Sequence, residues 1–173
     1  VRATTARAAA DAPADATFFV NLHARDLSDE ELYDPLAPLS RMASRVVLEI
    51  TERAALDHLR DVRGRVTELR RLGFRLAVDD LGAGYAGLTT FTQLEPEVVK
   101  LDMTLVRDVD TNPTKQRLVG TMSALCHDLG ARVVAEGVET VAERDVLTSL
   151  GCDYLQGYHF ARPARGFPKR DWP

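Results

Sequence analysis

The 173-residue sequence lacks the features that several large classes of protein require. It has no apolar run approaching the roughly 20 residues of a membrane-spanning helix, and its Ala- and Arg-rich beginning does not resemble a secretory signal. Its 22 basic residues are outnumbered by 26 acidic ones, and the net charge of −4 argues against duplex nucleic acid as a partner. We therefore expect a cytoplasmic protein with no membrane segment in this chain.

Cysteine and histidine are scarce, and neither is arranged for metal binding or covalent catalysis. Cys126 and Cys152 lie far apart in apolar segments, so we expect two buried, reduced thiols rather than a disulfide. The four histidines share no metal-ligand spacing, and no Gly-x-Ser-x-Gly motif indicates a nucleophilic serine. These absences count against a thiolate zinc site and against covalent hydrolysis.

The composition is that of an ordinary globular protein. The chain is 45% apolar and 28% charged, which suits one soluble domain with a sizeable core over 1–173. No linker or low-complexity tract interrupts it, and only 164–173 is predicted to form an irregular tail. Since the sequence begins at Val1 rather than at Met, we expect it to be a fragment of a longer protein.

Apolar segments of strand length alternate with amphipathic segments along the chain. The predicted strands are 17–22, 45–51, 74–80, 97–102, 131–137 and 152–158. The predicted helices are 3–16, 54–72, 113–129 and 140–150. Most strand segments contain consecutive apolar residues, which is typical of parallel strands covered on both faces. The alternation predicts an α/β fold whose parallel sheet is either doubly wound or closed into a barrel.

The helix predicted at 113–129 has clear boundaries and an apolar stripe. Pro113 suits its first turn, and Gly130 follows its end. Apolar residues recur at spacings of three and four, at Leu118, Met122, Leu125 and Leu129. We expect this stripe to face the core.

Polar residues stand near the carboxyl end of every predicted strand. In chain order they are Asn21, Glu49, Asp79, Asp80, Lys100, Asp102, Glu136 and Gln156. Because the carboxyl ends of parallel strands open at one edge, we expect these side chains to share a single mouth. The alternative for a single acidic residue is the N-cap of the next helix, which fits Asp102 and Glu52. Capping does not predict polar residues at the end of every strand.

Two aspartates stand side by side in the segment FRLAVDDLGAGYAGL, at 74–88. Two carboxylates so close repel each other, so one must take up a proton or a cation must lie between them. Oxygen donors without a His or Cys cluster favour Mg²⁺ or Mn²⁺, and the carboxylates of the mouth carry enough charge for two ions. Two such ions suit an in-line displacement at phosphorus, with Lys100 as a cation for phosphate oxygens. Gly82 and Gly84 allow the next loop to approach a ligand closely.

Several ordered motifs resemble one known family. They are VVLEITE at 46–52, LAVDDLGAGYAGL at 76–88, VVKLD at 98–102, VVAEGVET at 133–140 and LQGYHFARP at 155–163. They are similar, in order and in separation, to motifs of the EAL-domain family of cyclic di-GMP phosphodiesterases. The resemblance implies a TIM-like (β/α)₈ barrel that hydrolyses this bacterial second messenger to linear pGpG with two Mg²⁺ or Mn²⁺ ions.

The resemblance also implies a role for individual residues. The implied metal-binding residues are Asn21, Glu49, Asp79, Asp80 and Glu136. The implied catalytic residues are Lys100, Glu136 and Gln156. The implied supports of the loop after the paired aspartates are Glu52, Gly82, Gly84 and Glu139. The resemblance further implies a homodimer. It also implies an upstream sensory or cyclase domain, as part of a larger and membrane-linked signalling protein.

The sequence departs from the family pattern in ways that keep alternatives open. The Glu-Ala-Leu signature is absent, so we expect an incomplete barrel that lacks its first strand and one metal-ligating glutamate. Leu81, Ala86 and Gly87 replace the phenylalanine and the two serines of the family's loop. A catalytically weak or inactive domain that senses cyclic di-GMP is therefore an alternative to an enzyme. An unrelated Mg²⁺-dependent barrel, such as an enolase-type lyase, fits the motifs poorly.

Overall fold

The computed structural model of the protein describes residues 2–51, 61–82 and 87–164. They form one parallel sheet with helices. The strands are β1 (Phe18–Asn21), β2 (Val46–Thr51), β3 (Arg75–Leu81), β4 (Val98–Leu101), β5 (Arg132–Glu136) and β6 (Tyr154–Gln156). The α-helices are α1 (Arg2–Ala8), α2 (Val62–Arg71), α3 (Gly87–Leu94), α4 (Met103–Val106), α5 (Pro113–Asp128) and α6 (Val141–Ser149). Short 3₁₀ segments at Ala9–Asp11, Ala24–Ser28, Glu30–Tyr33 and Ser40–Arg45 complete the described elements.

The strands follow one another in the sheet in chain order, and every neighbouring pair is parallel. A doubly wound sheet reverses its strand order at a switch point, and these six strands do not. Sequential parallel strands are the arrangement of a (β/α)₈ barrel, of which the described residues supply six strands. The prediction of an incomplete TIM-like barrel is confirmed.

The two faces of the sheet are covered differently. Side chains such as Leu48, Leu76 and Val133 pack with the helices in the main core. The opposite, concave face carries a separate small apolar group. Its members are Val47, Ala77, Val98 and Val134. This small group forms the floor below the polar residues at the strand ends.

Helix α5 confirms the predicted segment but not the predicted buried face. Val119, Ser123 and Cys126 are buried, whereas the predicted stripe is largely exposed. Leu118 is 48%, Leu125 is 49% and Leu129 is 58% exposed. Both stripes have the same spacing and lie one residue apart. The spacing alone therefore could not decide which of them faces the sheet.

The helix predicted at 3–16 is shorter than expected, and the one predicted at 54–72 is described only in part. The described part of the helix predicted at 54–72 is α2, and 52–60 lie outside the described residues. The segment predicted at 3–16 ends its helical structure at Asp11, and Ala12 is extended. Pro13 explains this end, because a proline disfavours helical backbone at the residue before it. The predicted tail, 164–173, lies outside the described residues from 165 onward.

Two further predictions from composition can be compared with the fold. Cys126 and Cys152 are both free and buried, as predicted. Burial raises the pKa of each thiol to about 11, which keeps both protonated at neutral pH. None of the described helices is long and apolar enough to cross a membrane.

Candidate active site

The candidate site lies on the concave face of the sheet, at the carboxyl ends of the strands. Side chains alternate along a strand, so the residue two positions after each apolar floor residue lies on the same face. These residues are Glu49, Asp79, Lys100 and Glu136. At the two edges of the sheet, the register pairs Asn21 with Glu49 and Gln156 with Glu136. Six of the predicted residues therefore share one face and one edge.

The ammonium group of Lys100 lies among three carboxylates. Its Nζ is 2.6 Å from Glu49 Oε1, 3.0 Å from Asp79 Oδ1 and 2.6 Å from Glu136 Oε1. Glu49 and Lys100 are each 5% exposed, so these charges are largely removed from water. Three carboxylates around one ammonium leave an excess of negative charge, which further cations would offset.

Burial and the Lys100 ammonium act in opposite directions on the glutamates. Burial raises the pKa of Glu49 and of Glu136 because it disfavours the ionised form, and the neighbouring Lys100 opposes that rise. For Lys100 itself, burial disfavours the ammonium, but the close carboxylates of Glu136 and Glu49 outweigh this effect and raise the pKa. Lys100 therefore stays charged at neutral pH.

A local irregularity explains why two consecutive aspartates serve one site. A regular strand would direct Asp79 and Asp80 to opposite faces. The register between β3 and β4 shifts between Val78 and Leu81, and Asp80 has a φ of 60°. As a result, one oxygen of each aspartate and one of Glu136 all lie within 4.8 Å of one another. Positive φ is uncommon for a residue other than glycine, and such conformations concentrate at functional sites.

The oxygen atoms of the site fit a divalent cation. Glu49 Oε1 and Asp79 Oδ1 are buried and accept no well-aligned hydrogen bond from the described residues, although Lys100 lies within ionic distance of both. A buried carboxylate oxygen without a hydrogen bond is costly unless a cation satisfies it. With Asp80 and Glu136, these atoms form the all-oxygen donor set that Mg²⁺ and Mn²⁺ prefer.

A cavity of about 330 Å³ adjoins the carboxylates on the side of β4, β5 and β6. Predicted residues on its walls are Asp80, Asp102, Glu136, Glu139 and Gln156. Met103, Arg107 and Tyr158, which are not among the predicted site residues, also line it. Tyr158 is 55% exposed, and the Arg162 guanidinium lies 4.9 Å from the centre of its ring. One of these residues could have been found from the sequence, because Tyr158 lies two positions after the predicted Gln156.

The remaining predicted residues have mixed outcomes. Asp102 caps α4, since its Oδ1 accepts a hydrogen bond from Thr104 N at 2.8 Å, so the capping alternative holds there. Glu139 pairs with Arg107 at the rim of the cavity, where Nη2 donates to Oε1 at 2.7 Å. Glu52 lies outside the described residues.

The loop after the paired aspartates is described only at its first residues. Gly82 has a φ of 110°, a backbone conformation that requires glycine, and a Cβ there would lie 2.6 Å from Leu105 Cδ1, so that side chain would have to shift. Leu81, which departs from the family pattern, is buried in the core. Gly84 and Ala86 lie outside the described residues, and Gly87 begins α3.

A barrel-type parallel sheet with buried carboxylates at the carboxyl ends of its strands is the architecture of divalent-metal-dependent barrel proteins. Comparison with known proteins narrows this class. The EAL domain model matches residues 1–163. The chain belongs to the EAL domain family.

Individual relatives agree with this assignment. The signalling protein YkoW of Bacillus subtilis is 31% identical over 153 residues, which cover 86% of this chain and 19% of YkoW. The cyclic di-GMP phosphodiesterase RocR of Pseudomonas aeruginosa is 35% identical over 147 residues, covering 83% of this chain and 38% of RocR. This chain therefore spans well under half of either relative.

Solved structures show the same fold. BlrP1 of Klebsiella pneumoniae, in a complex with calcium and cyclic di-GMP, is 34% identical and has a TM-score of 0.84. The match covers 94% of this chain and 43% of BlrP1. A manganese complex of BlrP1 with cyclic di-GMP is also similar, with a TM-score of 0.81.

Proposed function

We propose that the protein hydrolyses cyclic di-GMP to linear pGpG with two Mg²⁺ or Mn²⁺ ions. The observation that carries this proposal is the buried group of Glu49, Asp79 and Glu136 around Lys100, at the mouth of a parallel barrel-type sheet. The substrate class comes from two relatives. RocR is named a cyclic di-GMP phosphodiesterase, and the BlrP1 structure contains cyclic di-GMP.

The residues that would hold the ions come from separate strands. Asn21 and Glu49 are neighbours at the ends of β1 and β2, and Asp79 and Asp80 lie together at the irregular end of β3. Asp79 is the residue best situated to serve both ions, because it is near Lys100 and also near Asp80 and Glu136. When bound, two divalent ions stabilise the negative charge on the attacking and leaving oxygens at phosphorus.

Three residues would handle the water and the phosphate. Glu136 accepts the proton of the attacking water, since burial raises its pKa and makes it a better base than an exposed glutamate. Lys100 lies 2.6 Å from Glu136 and can donate a hydrogen bond to that water or to a phosphate oxygen. Gln156 lines the cavity beside Glu136 and offers its amide to the same water or to the ligand.

The first prediction tests the activity itself. The protein, purified at its full natural length and supplied with Mn²⁺, is expected to convert cyclic di-GMP to pGpG, and Glu136→Gln is expected to slow turnover by about 100-fold or more. Chromatography of the nucleotides measures both. Glu95→Gln, at an exposed acid at the other end of the sheet, is the matched control.

The second candidate function is binding without hydrolysis. It is favoured by the departures at Leu81, Ala86 and Gly87, which lie in or beside the loop that follows the paired aspartates. Tight binding of cyclic di-GMP with no pGpG, under conditions in which RocR is active, would establish a sensor and contradict the enzyme.

We also propose that the protein forms a homodimer through the exposed face of α5. Leu118 and Leu125 stand on this face, and each is about half exposed. Arg117 lies in the first half of the helix and Asp128 at its end, both exposed. In an antiparallel pair of α5 helices, the leucines of the two copies meet near the centre, and Arg117 of each lies toward Asp128 of the other. The pattern is thus complementary to itself.

The second prediction concerns this dimer. Leu125→Glu is expected to weaken dimerisation by about 100-fold or more, because it buries a charge in an apolar contact. Sedimentation velocity across a concentration series measures the change. Leu36→Glu is the matched control, since Leu36 is 70% exposed and belongs to the connection between Tyr33 and Ser40 rather than to α5. An unchanged dimer in Leu125→Glu would contradict the assignment of this face.

The parent protein has a location in the cell and further domains, which we propose as follows. We propose a cytoplasmic location for this domain, in which none of the described helices could cross a membrane. An upstream sensory or cyclase domain is supported by the greater length of YkoW and RocR.

A further inference from the structure

Two segments form one wall of the cavity, and one buried carboxylate joins them. The β4 rim segment is residues 102–108, and the β5 rim segment is residues 137–139. We propose that Glu143, on α6, is a positioning residue that fixes the spacing of these segments and thereby the width of the cavity. This role rests on the proposed function.

The contacts of Glu143 reach both segments. Its Oε1 accepts a hydrogen bond from Asp108 N at 3.1 Å. Its Oε2 accepts hydrogen bonds from Glu139 N at 2.8 Å and from Thr140 N at 3.0 Å. Glu143 is 2% exposed, so these bonds are shielded from water. One side chain therefore connects residues from two different βα loops.

Helix capping does not account for this arrangement. Thr140 and Glu143 do form a capping box, in which Thr140 Oγ1 accepts from Glu143 N at 3.1 Å. A capping box needs only the reciprocal bonds between the N-cap and the third residue of the helix. The bond to Asp108, which lies 35 positions earlier in the chain, goes beyond it.

The carboxylate is also held in its charged form. Burial alone would raise the pKa of Glu143, but hydrogen bonds from the backbone of Glu139, Asp108 and Thr140 outweigh it, and the pKa is lowered. An ionised carboxylate makes stronger hydrogen bonds to backbone N–H groups than a neutral group does. Glu143 therefore stays ionised at neutral pH and accepts strong hydrogen bonds from both segments.

Residues on the cavity wall depend on the spacing that Glu143 sets. Asp108 has a φ of 56°, and the neighbouring Arg107 pairs with Glu139 across the two segments. The segments also touch at Gly137, where a Cβ would lie 2.7 Å from Met103 Cβ. Arg107, Met103, Gly137 and Glu139 all line the cavity. A change in the spacing of the two segments would therefore alter the shape of the cavity strongly. It would alter the positions of the carboxylates on the strands less.

The third prediction is that Glu143→Gln separates ligand binding from metal binding. A glutamine offers one acceptor oxygen in place of two, so it cannot accept from both segments. We expect KM for cyclic di-GMP to rise about 10-fold, which corresponds to the weakening of about one hydrogen bond. The value of kcat is expected to stay within about 3-fold of the parent, and the affinity for Mn²⁺ is expected to be unchanged. The Kd for cyclic di-GMP, measured with Ca²⁺ in place of Mn²⁺, is expected to rise in parallel.

Thr140→Ala is the matched control, since it removes the hydrogen bond at the N-terminus of α6 and leaves the Glu143 carboxylate in place. It is expected to lower Tm as a lost cap does, with KM and Kd unchanged. If Glu143→Gln fails to fold, Glu143→Asp, whose shorter side chain cannot span both segments, takes its place with the same expectation.

The outcomes separate this role from the proposed function. The positioning role would be overturned if Thr140→Ala changed KM and Kd as much as Glu143→Gln does. It would also be overturned if neither variant changed these constants. A parent protein that binds cyclic di-GMP without hydrolysis overturns the proposed enzyme, and Kd alone then decides the role of Glu143. A parent that neither binds nor hydrolyses overturns both.

Discussion

Glu49→Gln is expected to lower the affinity of the protein for Mn²⁺ by about 100-fold or more. Changing a residue that only hydrogen-bonds to a metal ligand lowers metal affinity by about 10- to 100-fold, and loss of a ligand itself should cost more. Glutamine keeps the size of the side chain but removes an anionic oxygen that is buried at the mouth. The affected oxygen, Oε1, is one of the two buried atoms that accept no well-aligned hydrogen bond from the described residues. A neutral amide oxygen is a weaker ligand than a carboxylate oxygen, because it carries no negative charge to balance the cation. Turnover is expected to fall with the affinity.

Titration of metal-stripped protein with Mn²⁺, followed by electron paramagnetic resonance of the free ion, measures this affinity directly. Glu68→Gln is the matched control, because it makes the same chemical change at an acid that pairs with Arg71 on α2. Full Mn²⁺ affinity in Glu49→Gln would show that this carboxylate is not a ligand. A loss in both variants would point to net charge rather than to the site.

The strands and the edge that they share could be predicted from the sequence for a simple reason. Consecutive apolar residues indicate buried parallel strands, and parallel strands have their carboxyl ends at one edge. Glu49, Lys100 and Glu136 each follow such a run, so their common location required no knowledge of register. Residues that the regular alternation of a strand directs to one face are therefore the ones whose location is predictable.

Features that depend on register or on distant partners could not be predicted. The shared direction of Asp79 and Asp80 comes from a register shift and a positive φ, neither of which the residue types reveal. The exposed stripe of α5 has the same spacing as a buried one. The bond from Asp108 to Glu143 joins two loops that lie far apart in the chain. In each case the deciding contact belongs to the folded state and not to the local pattern.

Lys100→Met is expected to lower the free energy of unfolding by about 3–5 kcal/mol in the presence of EDTA, which is the usual cost of leaving buried charges without their partner. The ammonium lies within 3.0 Å of an oxygen of Glu49, of Asp79 and of Glu136, and no described residue supplies a second cation at that distance. Methionine keeps most of the volume and none of the charge. Mn²⁺ is expected to reduce the loss, because bound cations offset the same carboxylates. Turnover with Mn²⁺ is expected to fall by about 100-fold, since Lys100 no longer donates to the water or the phosphate.

The pH dependence of this loss distinguishes charge repulsion from poor packing. Burial already raises the pKa of Glu49 and of Glu136 against the opposing effect of Lys100, and removing Lys100 removes that opposition. A carboxyl group with a raised pKa in the folded state binds more protons folded than unfolded, so its contribution to stability falls as pH rises through that range. The loss in Lys100→Met is therefore expected to be largest near about pH 8 and smaller near about pH 5. Urea unfolding at both pH values, with the exposed Arg63→Met as the matched control, measures it. A loss of equal size at both pH values would mean that Lys100 fills space at the mouth and does not balance its charge.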